Sequence, residues 1–425
     1  MKNVPKTFGG ISKKMLLLVT QFAATRYDVI FDQYLSPSIK DYERDLRRES
    51  TQLDFNITGP DQVRPSDFLK ELKNIHFKEA LVEFFIQHWA SDEMVPFVEN
   101  KHILINFKQC HSYVVDDNKI VSTVDDSLSC PEHEEADTKI VFHICNIDVQ
   151  ANFVVRCSDT DIAIIMLGHM HNLKDDGSNV WLNAGTGNNQ RYINLTKVYE
   201  NLGSTLCRSL PGFHALTGCD YNPAFFKKGK QRPFKILMKR PEYQQALMHF
   251  GDPELLTDEH RQEDIFKTIQ KFICEIYSVP DTYDVNAARL QLFLNNYSVS
   301  NINEEFNRKN SKNFDASSLP PCKTELFQQF LRANYISSIW NYAHEKQPTI
   351  FTPEQNGWRL EENQFHFHWF DGDQLPRDVG ESLQQSEEDV SNNITDDDED
   401  DDLVGQYRDW LNDENSNNCY GDCDD

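Results

Sequence analysis

The sequence predicts an α/β fold, on three observations. Between residues 132 and 221, short β-forming runs alternate with runs of helical periodicity, the pattern of a parallel sheet covered on both faces. The 425-residue chain is 39% hydrophobic and 12% aromatic, enough to bury a substantial core and to exclude disorder throughout. The charge is also unevenly placed. The formal net charge is −26, yet residues 371–425 hold 20 acidic and 2 basic side chains, which leaves −8 for the rest. The tail is therefore read apart from the fold. The expected organisation is an α/β domain over residues 1–250, a mostly helical extension over 251–370 and a disordered acidic tail over 371–425. In that tail the run from Asp396 to Asp402 repels itself.

The elements follow in order. Residues 27–34 are rich in β-formers and read as a strand, and the mixed charges from Lys40 to Glu49 read as an exposed helix. Residues 66–99 place Leu69, Leu72, Ile75 and Leu81 near helical spacing. Ile103 to Phe107 and Ile120 to Val124 read as strands around a turn at 115–118. Helices are expected from Glu135 through Ile144, from Ile162 to His171, from Asn194 to Leu202 and from Thr205 to Gly218. Strands are expected at 152–157 and 180–183, and residues 252–345 read as mostly helical.

Several classes are set aside. No run approaches the roughly 18 apolar residues of a membrane-spanning helix, so no membrane partner is expected. The apolar run at Met15–Val19 reads as part of an amphipathic helix rather than a signal peptide. Of ten cysteines only Cys419 and Cys423 lie close together, and no CxxC pair occurs. That pattern predicts neither a disulfide framework nor a zinc site, and it suits a reducing, intracellular compartment. His169-Met170-His171 and His366-Phe367-His368 lack nearby further ligands and read as surface or partly buried histidines, and Cys219 as a small core residue.

The informative feature is where the acids fall. Asp32 lies near a strand end, Glu135 and Asp137 at a helix start, Asp159 and Asp161 where a strand gives way to a helix, and Asp220 after Leu216-Thr217-Gly218-Cys219. Carboxyl ends of strands in an open sheet converge on one crevice. Like charges gathered there require compensating cations, and oxygen-only ligands suit Mg²⁺ or Mn²⁺. A pair of ions about 4 Å apart would activate water and stabilise a leaving oxygen in phosphodiester hydrolysis. Each acid also has a plainer use: Asp159 as a helix cap, Glu135 and Asp137 as partners of a helix dipole, Asp32 in a turn. Asp28 stands about 13 Å from Asp32 by strand rise and is left out of the set. Downstream, residues 227–240 carry seven basic side chains and no acid, a local reversal of sign that points to a polyanion. Lys227, Lys228, Lys230, Arg232 and Lys235 are its candidate phosphate contacts, and Gly229 would let backbone N–H groups approach closely.

Glu135-Ala136-Asp137, Asp159-Thr160-Asp161 and Gly218-Cys219-Asp220-Tyr221, in that order and spacing, resemble the acidic motifs of flap-endonuclease and XPG-type nucleases of the PIN-like superfamily. Ile30-Phe31-Asp32 followed by Ser38-Ile39-Lys40, Arg44, Arg47 and Arg48 resembles that family's second-aspartate strand and basic gateway helix. Leu210-Pro211-Gly212-Phe213-His214-Ala215-Leu216-Thr217-Gly218-Cys219-Asp220 is similar to anonymous, mobile-element-like eukaryotic members, and the likeness covers about residues 7–240. The resemblance implies a three-layer α/β/α PIN-like domain with a mainly parallel central sheet. It implies Asp32, Glu135, Asp137, Asp159, Asp161 and Asp220 as ligands of two Mg²⁺ or Mn²⁺ ions. It assigns Lys40 and Arg47 to the scissile phosphate, and the basic segment to the grip on DNA or RNA. The expected function is a divalent-metal-dependent nuclease, intracellular and by its substrate nuclear. The family's first metal aspartate, on an N-terminal strand, has no counterpart, because no acid precedes Asp28. That departure implies a truncated gene product or a chain lacking one ligand and one central strand. It opens the alternative of a catalytically weakened module that binds nucleic acid or protein without cutting.

Overall fold

The computed structural model describes residues 4–41, 44, 55–157, 159, 161–175, 177–185, 187–296, 315–348 and 351–372. Helix α1 (Phe8–Val19) is capped by the Thr7 hydroxyl, which accepts from Gly10 N at 3.3 Å, and it buries Phe8, Ile11 and Leu16. Its apolar run is the amphipathic helix the sequence predicts. Strand β1 (Arg26–Ile30) is shorter than the predicted one. Helix α2 (Ile75–Trp89) begins at an Asn74 cap and turns Phe77, Leu81, Phe84, Phe85 and Trp89 inward. Strands β2 (His102–Phe107), β3 (Gln109–Asp116) and β4 (Lys119–Val124) follow. The β3–β4 turn is Asp117-Asn118, both at positive φ, the two-residue chemistry that matches the twist of an antiparallel hairpin.

Helix α3 (Ala136–Asn146), strand β5 (Asn152–Arg156), helix α4 (Asp161–His169), and strands β6 (Asn179–Ala184) and β7 (Arg191–Asn194) form the next stretch. Helices α5 (Leu195–Leu202) and α6 (Ser204–Thr217) lead to α7 (Gln231–Lys239), α8 (Pro241–Met248), α9 (Glu259–Ile276), α10 (Val285–Asn296) and the long α11 (Lys323–Asn341). A hairpin, β8 (Trp358–Glu361) and β9 (Gln364–Phe367), closes the described chain.

The class is α/β, but the strands do not join into one mainly parallel sheet. Among the described residues they form a four-stranded sheet β1-β2-β3-β4, a three-stranded sheet β5-β6-β7 and the β8-β9 hairpin. Only β1–β2 and β5–β6 run parallel. The short connections from β2 to β3, β3 to β4 and β6 to β7 can return only antiparallel, because a parallel return needs a crossover of a dozen residues or more. The expected helix over Lys40 to Glu49 lies largely outside the described residues.

Two apolar clusters hold the elements. One packs α1 and α2 on the first sheet around Phe8, Phe77, Trp89, Ile103 and Tyr113. The other runs from Val141 to Phe365 and joins α3, α4 and α6 to α9 and α11. It crosses residue 250, so the α/β elements and the C-terminal helices share one interior. The buried guanidinium of Arg332 on α11 fastens this interior to the loop after α6. It donates to Asn222 Oδ1 at 3.0 Å and to His368 O at 2.8 Å, and it lies under the Phe367 ring at 5.0 Å.

Candidate functional site

The acids gather where two helices begin. Asp161 opens α4, and Asp159 Oδ1 accepts from the Asp161 amide at 3.0 Å, two residues before the helix begins. Asp32 reaches 104 residues along the chain to accept from Ala136 N at 2.8 Å, at the start of α3. Asp137 lies one residue further into the same helix. Burial, together with the charges of Asp159, Asp161 and Asp32, pushes the Asp137 carboxyl up to about 7, against the pull of Lys40. Acids from two other stretches of the chain therefore act on this one carboxyl.

Cations line the same place. Lys40 forms an ion pair with Glu135 and stands 4.6 Å over the Tyr221 ring. Burial would raise Asp161, but the His214 hydrogen bond, with the charges of Lys230 and Lys40, outweighs it and holds that carboxyl below its ordinary value. The His214 contact is Nε2 to Asp161 Oδ1 at 2.9 Å, and the Lys230 ammonium lies 2.5 Å from Nδ1 of the same ring. Beneath the pocket the fully buried Lys139 donates to Phe31 O at 3.0 Å, with its amine brought down to about 8 by burial against the charges of Cys130 and Asp32.

Asp220 stands at the edge. It is exposed, in the tight turn where Cys219 and Asn222 bond to each other, and its charge reaches Cys219, which also feels Asp161. It is not among the acids acting on Asp137. Asp28 turns elsewhere, to Arg26 at 2.7 Å and His143 at 2.8 Å. Arg47 and Arg48 lie outside the described residues. Arg44 is taken up by Asp41 and Glu134, over the Tyr34 ring. Of the two histidine pairs, His169 is buried with both ring nitrogens engaged, by Trp340 O and the Asn172 amide, as a core histidine would be.

The donors around Asp137 are all carboxylate oxygens, which fits Mg²⁺ or Mn²⁺, and a divalent ion would relieve the repulsion that lifts the Asp137 carboxyl. Among the described residues no three His, Cys, Asp or Glu stand ready in ligating geometry.

The basic segment divides. Lys230 turns in toward His214. Lys227 is exposed, and Lys228 lies 4.2 Å over the Tyr277 ring. Gly229 adopts φ +43 with nothing near the place of a Cβ. On α7, Arg232 donates to Ser278 Oγ at 2.8 Å. With Lys235, Ile236, Lys239, Arg240 and Glu275 it lines a cleft of about 400 Å³. Residues 232, 235 and 239 share one helix face. Sequence reasoning missed Lys139 and the inward turn of Lys230. It also gave His214 no role, although His214 sits inside the motif that carries the resemblance.

Comparison of the chain with protein-family models, with curated proteins and with solved structures finds no match.

Proposed function

We propose that this chain is a PIN-like nuclease scaffold that hydrolyses nucleic-acid phosphodiesters with Mg²⁺ or Mn²⁺ held by its carboxylates. One observation carries the reading: the Asp137 carboxyl is crowded by Asp32, Asp159 and Asp161 from separate elements, with Lys40 beside it. Such crowding suits a site that works with divalent cations bound. Asp137, Asp159 and Asp161 are the acids best placed to hold the metal, with Asp32 and Glu135 next to them and Asp220 at the rim. The metal would supply an activated water and stabilise the leaving oxygen. Lys40 would meet the phosphate, and the cleft on α7 offers cations to the neighbouring backbone. An intracellular, nuclear setting belongs to the same proposal.

A second reading has its own support. Glu135 is paired with Lys40, Asp161 with His214, and Asp32 with the Ala136 amide. Acids already satisfied by protein partners suit a module that binds nucleic acid without cutting it. Purified protein incubated with flap, single-stranded and duplex DNA, and with RNA, in Mg²⁺ or Mn²⁺ separates the two. Metal-dependent cutting, reduced at least 100-fold in the Asp159→Ala/Asp161→Ala variant, is the outcome expected of the nuclease. Binding without cutting, equal in both proteins, assigns the chain to the second reading.

A further inference from the structure

His214 ties together three parts of the chain that are distant in sequence. It sits in the last turn of α6, bonds Asp161 at the first residue of α4, and receives Lys230, which directly precedes α7. The ring is nearly buried, and Trp340 of α11 packs beside it at 5.6 Å. A lysine ammonium has only donors. The Lys230 ammonium stands against the ring, 2.5 Å from Nδ1 and 3.3 Å from Nε2, and a cation disfavours a proton on the nitrogen it is nearer, which assigns the ring proton to Nε2, beside Asp161. Nε2 then donates to Asp161 Oδ1 at 2.9 Å. Lys230, His214 and Asp161 thus form a line from a cation to the acids, with the ring proton between His214 and Asp161. Lys40 also acts on Asp161, and Asp220 acts on Cys219, which feels Asp161 and Lys230 as well.

We infer that His214 and Lys230 are positioning residues of the acidic pocket: Lys230 fixes the tautomer of His214, and His214 holds the Asp161 carboxylate in one orientation toward Asp137 and Asp159. This inference rests on the proposed metal-dependent reading. A histidine that orients an acid by its ring N–H, and is itself oriented by a third group, is how outer residues tune a metal site, and loss of such a residue ordinarily weakens metal affinity or activity 10- to 100-fold. Lys230 is thereby a component of the pocket rather than one more phosphate contact of the basic segment.

The test uses the full-length chain and two readouts. The first is long-range ¹⁵N–¹H NMR of histidine-labelled protein without metal. The His214 ring is expected with its proton on Nε2, and Lys230→Met is expected to abolish that single-tautomer signature. A proton on Nδ1, or a signature unchanged by Lys230→Met, overturns the inference. The second is calorimetric titration with MnCl₂ alone. His214→Ala and Lys230→Met are expected to weaken Mn²⁺ binding about 10-fold or more. His214→Gln, which keeps an N–H donor toward Asp161, is expected to recover most of the affinity at equal thermal stability. Equal affinity in wild type and His214→Ala overturns the inference. A wild type that binds no Mn²⁺ while showing the Nε2 tautomer overturns the metal reading and leaves the positioning of Asp161 standing.

Discussion

At the scale of single residues, the environment of a side chain decides its chemistry more than its type does. Asp137 and Asp28 are both aspartates near the first sheet. Burial would raise both, but Asp28 has His143 and Arg26 at hydrogen-bonding distance and is brought down to about 2, whereas Asp137 meets three further acids and rises to about 7. The stability consequence of Asp137 has a definite sign. Its folded-state pKa lies above the unfolded value near 3.8, so ionising it opposes folding. The cost is absent below about pH 4, grows through pH 4–7 and is complete above pH 7. Asp137→Asn is therefore expected to stabilise metal-free protein at pH 8, by at most about 4 kcal/mol for a shift of about three pKa units, with no gain at pH 4. Thermal melts of both proteins across pH 4–8 check this, and an equal gain at every pH contradicts it. Burial also removes chemistry. Ser12 Oγ lies 2.9 Å from His88 Nδ1, with Glu93 on the far side of the ring, an arrangement reminiscent of a hydrolase nucleophile. Yet Ser12 is fully buried and its oxygen accepts from Trp89 Nε1 at 2.9 Å, so the group is part of the packing between α1 and α2.

At the scale of elements, the pocket is a product of helix beginnings and one turn. Amides at the starts of α3 and α4 face Asp32 and Asp159, and the partial positive charge of a helix N-terminus suits acids gathered there. The turn after α6 depends on Gly218. It adopts φ +117, and a Cβ there would stand 2.6 Å from the Ala224 Cβ. Asn222 then pins the turn by donating to Ala215 O at 2.9 Å and Gln329 O at 3.1 Å. Gly218→Ala is expected to cost on the order of 2–3 kcal/mol in chemical denaturation, from the strained φ and the clash together. Adding Ala224→Gly is expected to restore only part of the loss, because the backbone strain remains. Full recovery in the double variant would show the contact with the Ala224 Cβ to be the whole effect, since the Ala224 Cα would still stand 2.7 Å away. The helices α3, α4 and α6 were legible in the sequence because each carries an unbroken apolar face, and α4 has cap residues before it. Strands β3 and β7 were not: β3 alternates polar and apolar residues beside a turn, and β7 is four residues long. The hairpin β8–β9 was missed for the same reason: each strand is four residues long and half polar, and Arg332, which donates to Gly357 O at its entrance, lies 25 residues away.

At the scale of the whole molecule, the described chain is more unified than its composition implies. The described residues up to Asp371 form one compact unit. No helix among the described residues is long and apolar enough to cross a membrane. Phe250 packs on Phe330 at 5.2 Å, Tyr243 on Phe272 at 5.0 Å and His214 on Trp340 at 5.6 Å, so the helices after residue 250 complete the interior under the pocket. A chain ending at residue 250 would leave Phe213, Tyr243, Leu247 and Phe250 against water. At about 1.5–3 kcal/mol for each such side chain, that loss is comparable to the whole net stability of a domain. Such a truncation is expected to show no cooperative melt and to bind a hydrophobic dye, whereas a chain ending at Asp371 is expected to melt within about 2 °C of the full protein. A cooperative melt for the shorter chain would show that the C-terminal helices are a separate domain.

The sequence by itself determined the α/β class, most helices, the uneven charge and the identity of the acids, because these depend on local periodicity, composition and cap chemistry. Tertiary structure alone decided that the described strands form two mixed sheets and an antiparallel hairpin, that Asp32 meets Ala136, that Asp220 stays at the rim and that Lys230 turns inward to His214. Those contacts join residues from 16 to over 100 positions apart. They exist only once buried helices have placed their ends together, and no local pattern encodes which ends will meet.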